Sequence, residues 1–411
     1  MNQDLLNELN KESKSAMLKR NLFAFLISNG TSTLTDIAKD LGLSIPTVTK
    51  LVTEFIMADA VKVYGKLETS GGRYPQLYGL QPNAAYFVGV DVKHEYVNIG
   101  IINFVGEICY TAYEVPFNLK DTPEALDELC KLVSSHITAS GYRLRDILNI
   151  NFNIPGRINP MEGTSHNYFC FSSDCTLAEL LSDKLGTSVS LDNDTRGMTY
   201  GEYTQGVCAK SSPRNVLYIN LSWGIGLGII LDHKIFLGKS GFSGEIGHIT
   251  AFDNQLICHC GKKGCFETEV SGIALHRMIL ERIQAGESSK LSAGVLCGEP
   301  LTLAQIVQAA LSEDVLVLEL LGKLGHKLGK QIAGLINVIN PEMVVIGGSL
   351  SQTGDYLLQA IKTVVSTYSL NLVNKDTEIV TAVLGDKAGL IGACMQARIR
   401  RFSANSVSLD Y

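Results

Sequence analysis

The chain has 411 residues, 45% apolar and 18% charged, with a formal net charge of −6. This length predicts about two or three domains with a sizeable core, and the composition excludes disordered and fibrous chains. The acidity excludes a protein that coats nucleic acid by bulk charge, but charge is read domain by domain: residues 1–82 carry nine Lys/Arg against eight Asp/Glu, a net of +1, leaving −7 for the remainder.

Seven of the ten cysteines (Cys109, Cys130, Cys170, Cys175, Cys208, Cys297, Cys394) are scattered without framework spacing, which predicts buried thiols in a reducing compartment. The opening MNQDLLNELNKESKS has no apolar signal core, and no apolar run is long enough to span a bilayer. The expected location is the cytoplasm, with no membrane partner.

Leu18, Leu22, Phe25 and Leu26 recur at helical spacing and predict a first helix stopping near Asn29-Gly30. Leu34, Ile37, Ala38 and Leu41 predict a second, stopped at Gly42. Ser44 caps a third, with Val48, Leu51, Val52 and Phe55 as its buried stripe. Two short helices around a Gly turn form a helix-turn-helix pattern. Ser44, Ile45, Pro46, Thr47, Thr49 and Lys50 then lie at or near the exposed start of the third helix, where base edges and phosphates would be met. The run VKVYGKLETSGGRYPQLYGL predicts two strands joined by a Gly-rich wing, with Arg73 at the tip placed to enter a minor groove. The competing reading is a small helical bundle for protein contacts, which the near-zero local charge favours; the order of helices and wing favours operator DNA.

A boundary is expected at Gln81-Pro82, where helices give way to strands, so that residues 1–82 form a winged helix-turn-helix and 83–411 a second domain. AYFVGVDVKHEYVNIGIINFVGEICYTAYEV predicts two or three strands, TPEALDELCKLVSSHI a helix, and ILNINFNI a buried strand ending at Pro155-Gly156. Alternation continues through NVLYINL, GLGIIL, MVVIGG and GDKAGLIGACMQARI, so the expected class is α/β. No internal repeat is visible. The basic runs at Arg143 and Arg398 read as solvated helix ends.

From Gly241 to Gly272, Cys258, Cys260 and Cys265 sit in a Gly- and Lys-rich turn with His248 upstream. Three thiolates and one imidazole make a closed tetrahedral set for a structural Zn2+. His259 competes for the fourth position, but cysteines flank it on both sides, which favours His248.

Five separated motifs in this order resemble the ROK family (repressors, open reading frames and kinases), and the leading helix-turn-helix resembles its transcriptional-repressor branch, typified by xylose and N-acetylglucosamine repressors. The resemblance implies an actin-like, ribonuclease-H-like fold with a sugar cleft between two lobes, lobe 1 being residues 83–196 plus 386–411 and lobe 2 residues 197–385, in a homodimer or homotetramer. It implies sugar-binding roles for Asn193 and Asp194 in LDNDTRGMTYGE, Asp194 matching a kinase's general base, for Glu245 and His248 in GEIGH, and for Glu267 after Cys265. Carboxylates, amides and an imidazole suit a polyhydroxylated ligand. Gly156 and Asn167 resemble a further sugar-facing loop, whose His166, Asn167 and Tyr168 define either a ligand preference or loop surface.

The family's Asp-x-Gly-Gly-Thr phosphate turn reads here Asp91-Val92-Lys93-His94-Glu95, without a glycine to admit phosphate. In the second phosphate loop Trp223 stands in Ser222-Trp223-Gly224, while Gly347-Gly348 retains a strand-turn-helix that also closes the lobe structurally. The expectation is a sugar-responsive repressor without kinase activity; the alternative is an ATP-dependent sugar kinase.

Overall fold

In the computed structural model, which describes residues 1–67, 74–171 and 174–402, each of the four opening helices begins on a capping side chain. α1 (Gln3–Leu9) starts on Asn2, α2 (Lys14–Asn29) on Ser13, α3 (Leu34–Asp40) on a Thr33–Asp36 capping box and α4 (Ile45–Met57) on Ser44. α2 ends at Gly30 (φ 69°), as expected, but α1 was not anticipated from the sequence. β1 (Val61–Lys66) and β2 (Gln76–Leu80) form an antiparallel hairpin in the register Val61↔Leu80.

These elements belong to one compact unit, Met1–Gly197 with Gly389–Tyr411; the other is Met198–Ala388. In the first unit the chain continues through β3 (Tyr86–Val92), β4 (Tyr96–Asn103), β5 (Ile108–Pro116), α5 (Pro123–Ala139), β6 (Ile147–Ile154), the short pair β7 (Ile158–Asn159) and β8 (Thr164–Ser165), α6 (Leu177–Leu185) and β9 (Val189–Asn193). Among the described residues the sheet order is β5-β4-β3-β6-β9, with β3 antiparallel to β4 and parallel to β6. α5 and α6 bury Leu126, Leu129, Val133 and Leu181 against Val90, Ile99 and Phe152 of the sheet.

α7 (Asp194–Gln205) leads into the second unit: β10 (Val216–Leu221), β11 (Ile225–Leu231), β12 (Lys234–Ile235), α8 (Gly272–Gln284), α9 (Ser292–Leu296), α10 (Leu303–Leu311), α11 (Val315–Ile339), β13 (Met343–Gly347), α12 (Asp355–Tyr368), α13 (Asn371–Lys375) and β14 (Glu378–Thr381). Its sheet order is β12-β11-β10-β13-β14, again a meander of antiparallel strands continued by parallel ones. α11 buries Leu316, Leu320, Leu324, Leu328, Ile332 and Ile336 at helical spacing. α12 approaches closely at Gly325 and Gly329, where an added Cβ would come within 2.8 Å of Ala360 and Val364. No helix among the described residues is long and apolar enough to cross a membrane.

α14 (Ala388–Arg400) returns to the first unit. A Cβ on Gly89 of β3 would meet the Cys394 backbone nitrogen at 2.4 Å, so only glycine lets the helix lie this close. The amides of Asn149, Asn151 and Asn153 on β6 reach Ala397 O (2.9 Å), Gln396 Oε1 (3.3 Å) and Gly389 O (3.0 Å). Beyond it Phe402 is fully buried against Phe23 of α2 (ring centroids 4.8 Å apart) and Phe104 (5.5 Å). Of the two basic runs, the one at Arg143 is solvated as expected and the one at Arg398 is not. Arg143 is exposed and pairs with Asp146, but Arg398 is only 9% exposed and Arg400 binds the buried Asp192.

Candidate functional site

Unit 1 gathers four of the predicted residues. Asn193 closes β9 and Asp194 opens α7. The Asn193 amide donates to Gly156 O (2.8 Å) and to Asp194 Oδ1 (2.7 Å), while its own oxygen accepts from the backbone N–H groups of Thr195 (3.0 Å) and Arg196 (3.2 Å), capping α7. Gly156 has φ 90°, and a Cβ there would strike the Asn167 side chain at 2.7 Å. Asn167 in turn accepts from Arg157 N (2.8 Å). Asn193 and Asn167 therefore have structural hydrogen bonds in addition to any they would make to a ligand.

Below this cluster lie two buried carboxylates. Asp192 is gripped by Arg196, Arg400 and Gln396 (Nε2 to Oδ2 2.6 Å); burial opposes its charge, but the two guanidinium groups hold its carboxyl below the usual range. Sequence reading missed it, although the spacing Asp192-x-x-x-Arg196 at a helix start is a signal for such a pair. Asp91, at the end of β3, lies 3.0 Å from the Lys93 ammonium and accepts from Asn98 (3.3 Å). Its burial raises its pKa.

Unit 2 gathers the metal-ligating set. Ligand atoms of His248, Cys258, Cys260 and Cys265 all lie within 4.8 Å of one another. The turn that brings the cysteines together runs through Gly261 (φ 83°), with Cys258 N bonded to Lys262 O (2.8 Å) and Gly261 N to Cys258 O (2.8 Å). His248 Nδ1 is 3.6 Å from Cys258 Sγ and Nε2 is 3.6 Å from Glu245 Oε2, so the ring's two nitrogens face different partners. Burial pushes the Cys258 thiol up to about 12. One imidazole and three soft sulfur donors fit a tetrahedral cation.

His259 belongs to a second arrangement with His248 and Glu267. Its Nδ1 is 2.8 Å from Glu267 Oε1, while Oε2 of Glu267 accepts from Ile225 N (3.3 Å). Glu267 thus ties the cysteine turn to the hairpin at Gly224, where a Cβ would come within 2.9 Å of it.

The Ser222-Trp223 turn and the glycines Gly347 and Gly348 are tied into the fold of unit 2. The carbonyls of Ser222 and Trp223 accept from Gly272 N (2.8 Å) and Ile273 N (3.0 Å), the first amides of α8. Added Cβ atoms would bring Gly347 to 2.1 Å from the Tyr218 hydroxyl and Gly348 to 2.5 Å from Asn220 Oδ1, so strand packing alone requires both glycines.

On the opening helices, Ser44, Ile45, Pro46, Thr47, Thr49 and Lys50 are all exposed. Ser44 accepts from Thr47 N (3.3 Å) and bonds the Thr47 hydroxyl (2.8 Å), while Thr49 donates to Ile45 O (2.8 Å). These hydroxyls are engaged on the helix itself, and Lys50 is the charged group of the set. Arg73 lies outside the described residues.

Residues 87–399 match the ROK family. The chain is 29% identical over 394 residues to a xylose repressor of Caldicellulosiruptor bescii, covering 95% of this chain and 96% of that one. It is 33% identical over 314 residues to a glucokinase of Halalkalibacterium halodurans, covering 75% and 93% respectively. A crystal structure of a ROK family transcriptional regulator, a homologue of the E. coli MLC protein, superposes with a TM-score of 0.79 at 24% identity over 97% of this chain and 98% of that one, which shows a shared fold.

Proposed function

The chain belongs to the ROK family, and from that premise we propose that it is a sugar-responsive transcriptional repressor without kinase activity. The observation that carries this reading is the alignment with a xylose repressor over 95% of the chain, well beyond the family-matching residues 87–399. We read α2, α3, α4 and the β1–β2 hairpin as a winged helix-turn-helix within residues 1–82, with Ser44, Ile45, Pro46, Thr47, Thr49, Lys50 and Arg73 facing operator DNA in a cytoplasmic homodimer or homotetramer.

The effector is a sugar or sugar derivative, and the residues we assign to it are Asn193, Asp194, Gly156 and Asn167, together with Glu245, His248 and Glu267. A structural zinc on His248, Cys258, Cys260 and Cys265 fixes the imidazole, leaving its other nitrogen for a hydroxyl. For the sugar to release or recruit DNA it must bind the two states of the protein with different affinity. Half-sites about 34 Å apart set the geometry that such a change would break or make.

Fluorescence anisotropy on the gene's own upstream DNA, with and without a panel of sugars, tests the reading; no binding under any condition would reject it. One observation favours a second reading, an ATP-dependent sugar kinase: the 33% identity to a glucokinase, with Asp194 in place. Sugar-dependent ADP release that disappears in Asp194→Asn would decide for the kinase.

A further inference from the structure

Asp91 is fully buried at the end of β3, and a carboxylate there needs compensation that water cannot supply. Every element packed around it contributes a group. The β3–β4 turn brings Lys93, β4 brings Asn98 and Tyr96, α7 opens with Asp194, and α14 approaches through Gly389, whose added Cβ would come within 2.4 Å of Asp91 Oδ2. β6 places Asn153 beside Asp91 in register. The ammonium of Lys93 is the positive charge in this set of neighbours; it lies 3.0 Å from Asp91 Oδ1 and also feels the negative charge of Asp194. Backbone geometry holds it there, because Lys93 N donates to Tyr96 O (2.9 Å) in the tight turn between the strands.

We propose that Lys93 is a built-in counter-cation that keeps Asp91 ionised beside Asp194, and so positions the Asn193-Asp194 corner to accept hydroxyl hydrogens from an uncharged polyol. The proposal deepens the sugar-sensor reading and rests on it. A fully buried carboxylate that also feels a second negative charge does not stay ionised without a cation, and takes up a proton. A protonated Asp91 would be a donor, and the Asn98 amide now pointing at it would lose part of its acceptor. Burial alone pulls the Lys93 pKa down, yet the charges of Asp91 and Asp194 more than offset this and hold it above the ordinary lysine value. Lys93 is therefore a positioning residue. Its partners consume its charge, so a phosphate group would meet two carboxylates together with one neutralised ammonium.

The test needs no sugar, so its failure is distinct from failure of the sensor reading. Infrared difference spectra of the full chain at about pH 7 compare wild type with Lys93→Met, Lys93→Arg and Lys93→Met/Asp91→Asn. The expected result is a protonated-carboxyl C=O band in Lys93→Met that is absent from the arginine variant and lost from the double variant. Thermal unfolding adds a second readout. A carboxyl whose folded pKa is raised contributes stability below that pKa and loses it as pH rises, so the deficit of Lys93→Met should be larger at about pH 8 than at about pH 5.5. Should Lys93→Met fail to fold, the double variant is expected to fold better, because removing both charges removes the unpaired one. A deficit independent of pH with no new band, or a double variant no better than the single, would overturn the proposal.

Discussion

Lys19 shows what a single residue can hide. It lies on α2 with 3% of its side chain exposed, paired with Glu8 of α1 and Glu54 of α4, each about one-third exposed. The hydrogen bond from Lys19 lowers the Glu8 pKa, while burial lowers that of Lys19 and its two carboxylate partners raise it on balance. The cluster therefore stabilises the folded chain between about pH 4 and about pH 10: Glu8 loses its contribution as pH falls through its depressed value, and Lys19 loses its own as pH rises through its raised one. The two sides of the cluster are unequal. Lys19→Met leaves carboxylates that water can reach and should cost about 1 kcal/mol or less, whereas Glu8→Gln/Glu54→Gln strands a buried ammonium and should cost about 3 kcal/mol, measured by urea unfolding at neutral pH. Nothing in the sequence marked this lysine, because one charge on an apolar helix face normally reads as the edge of the stripe. The cysteines were legible for the opposite reason, since metal ligands need particular atoms at particular spacing. Cys260→Ser should lose stoichiometric zinc by elemental analysis and weaken sugar affinity by about tenfold or more through a displaced His248. Unchanged sugar affinity in the zinc-free variant would separate the two roles.

Among elements, α4 was the most readable, because the Ser44 cap, the Pro46 in its first turn and the stripe Val48, Leu51, Val52, Phe55 all agree, and the four stripe residues are buried. Its exposed hydroxyls close on their own helix, which shifts the expected burden of DNA contact to Lys50 and Arg73. Lys50→Ala should therefore weaken operator and unrelated DNA alike and reduce the salt slope by about one, as loss of a phosphate contact does. Ser44→Ala should instead cost about 1 kcal/mol of stability by removing the cap. A sequence-selective loss in Lys50→Ala, seen by competition between operator and random duplex, would place that lysine on a base edge. α1 went unseen because seven residues carry too short a period to register. α14 was recognised as helix but its arginines were read as solvated, since a basic run gives no sign of a buried carboxylate such as Asp192 waiting on a strand 204 to 208 positions earlier.

At the scale of the whole molecule, the two five-stranded sheets repeat one plan, a three-strand antiparallel meander extended by two parallel strands, though no repeat is visible in the sequence. Sheet order depends on which apolar strands meet, and many sequences satisfy it, so a shared plan leaves no period in the residues. The last segment of the described chain joins distant parts of unit 1. Gln396 and Arg400 of α14 bind Asp192, the residue before the Asn193-Asp194 corner, and two positions later Phe402 enters the aromatic cluster of Phe23, Phe87 and Phe104. Phe23 also stacks on Phe55 of α4 at 4.1 Å. One segment thus braces the residue next to the proposed sugar corner and, through Phe23, is linked to the helix proposed to read DNA. Contiguity alone does not establish coupling, so the decisive measurement is energetic. Phe402→Ala should cost about 3 to 5 kcal/mol of unit 1 stability as a buried aromatic truncation, while sugar affinity of the folded protein changes little. If α14 carries the signal, the ratio of operator affinities with and without sugar should fall towards one in this variant. Phe402→Leu, which keeps the site filled, should retain most of that ratio; an unaltered ratio in Phe402→Ala would mean that sugar and DNA communicate by another route.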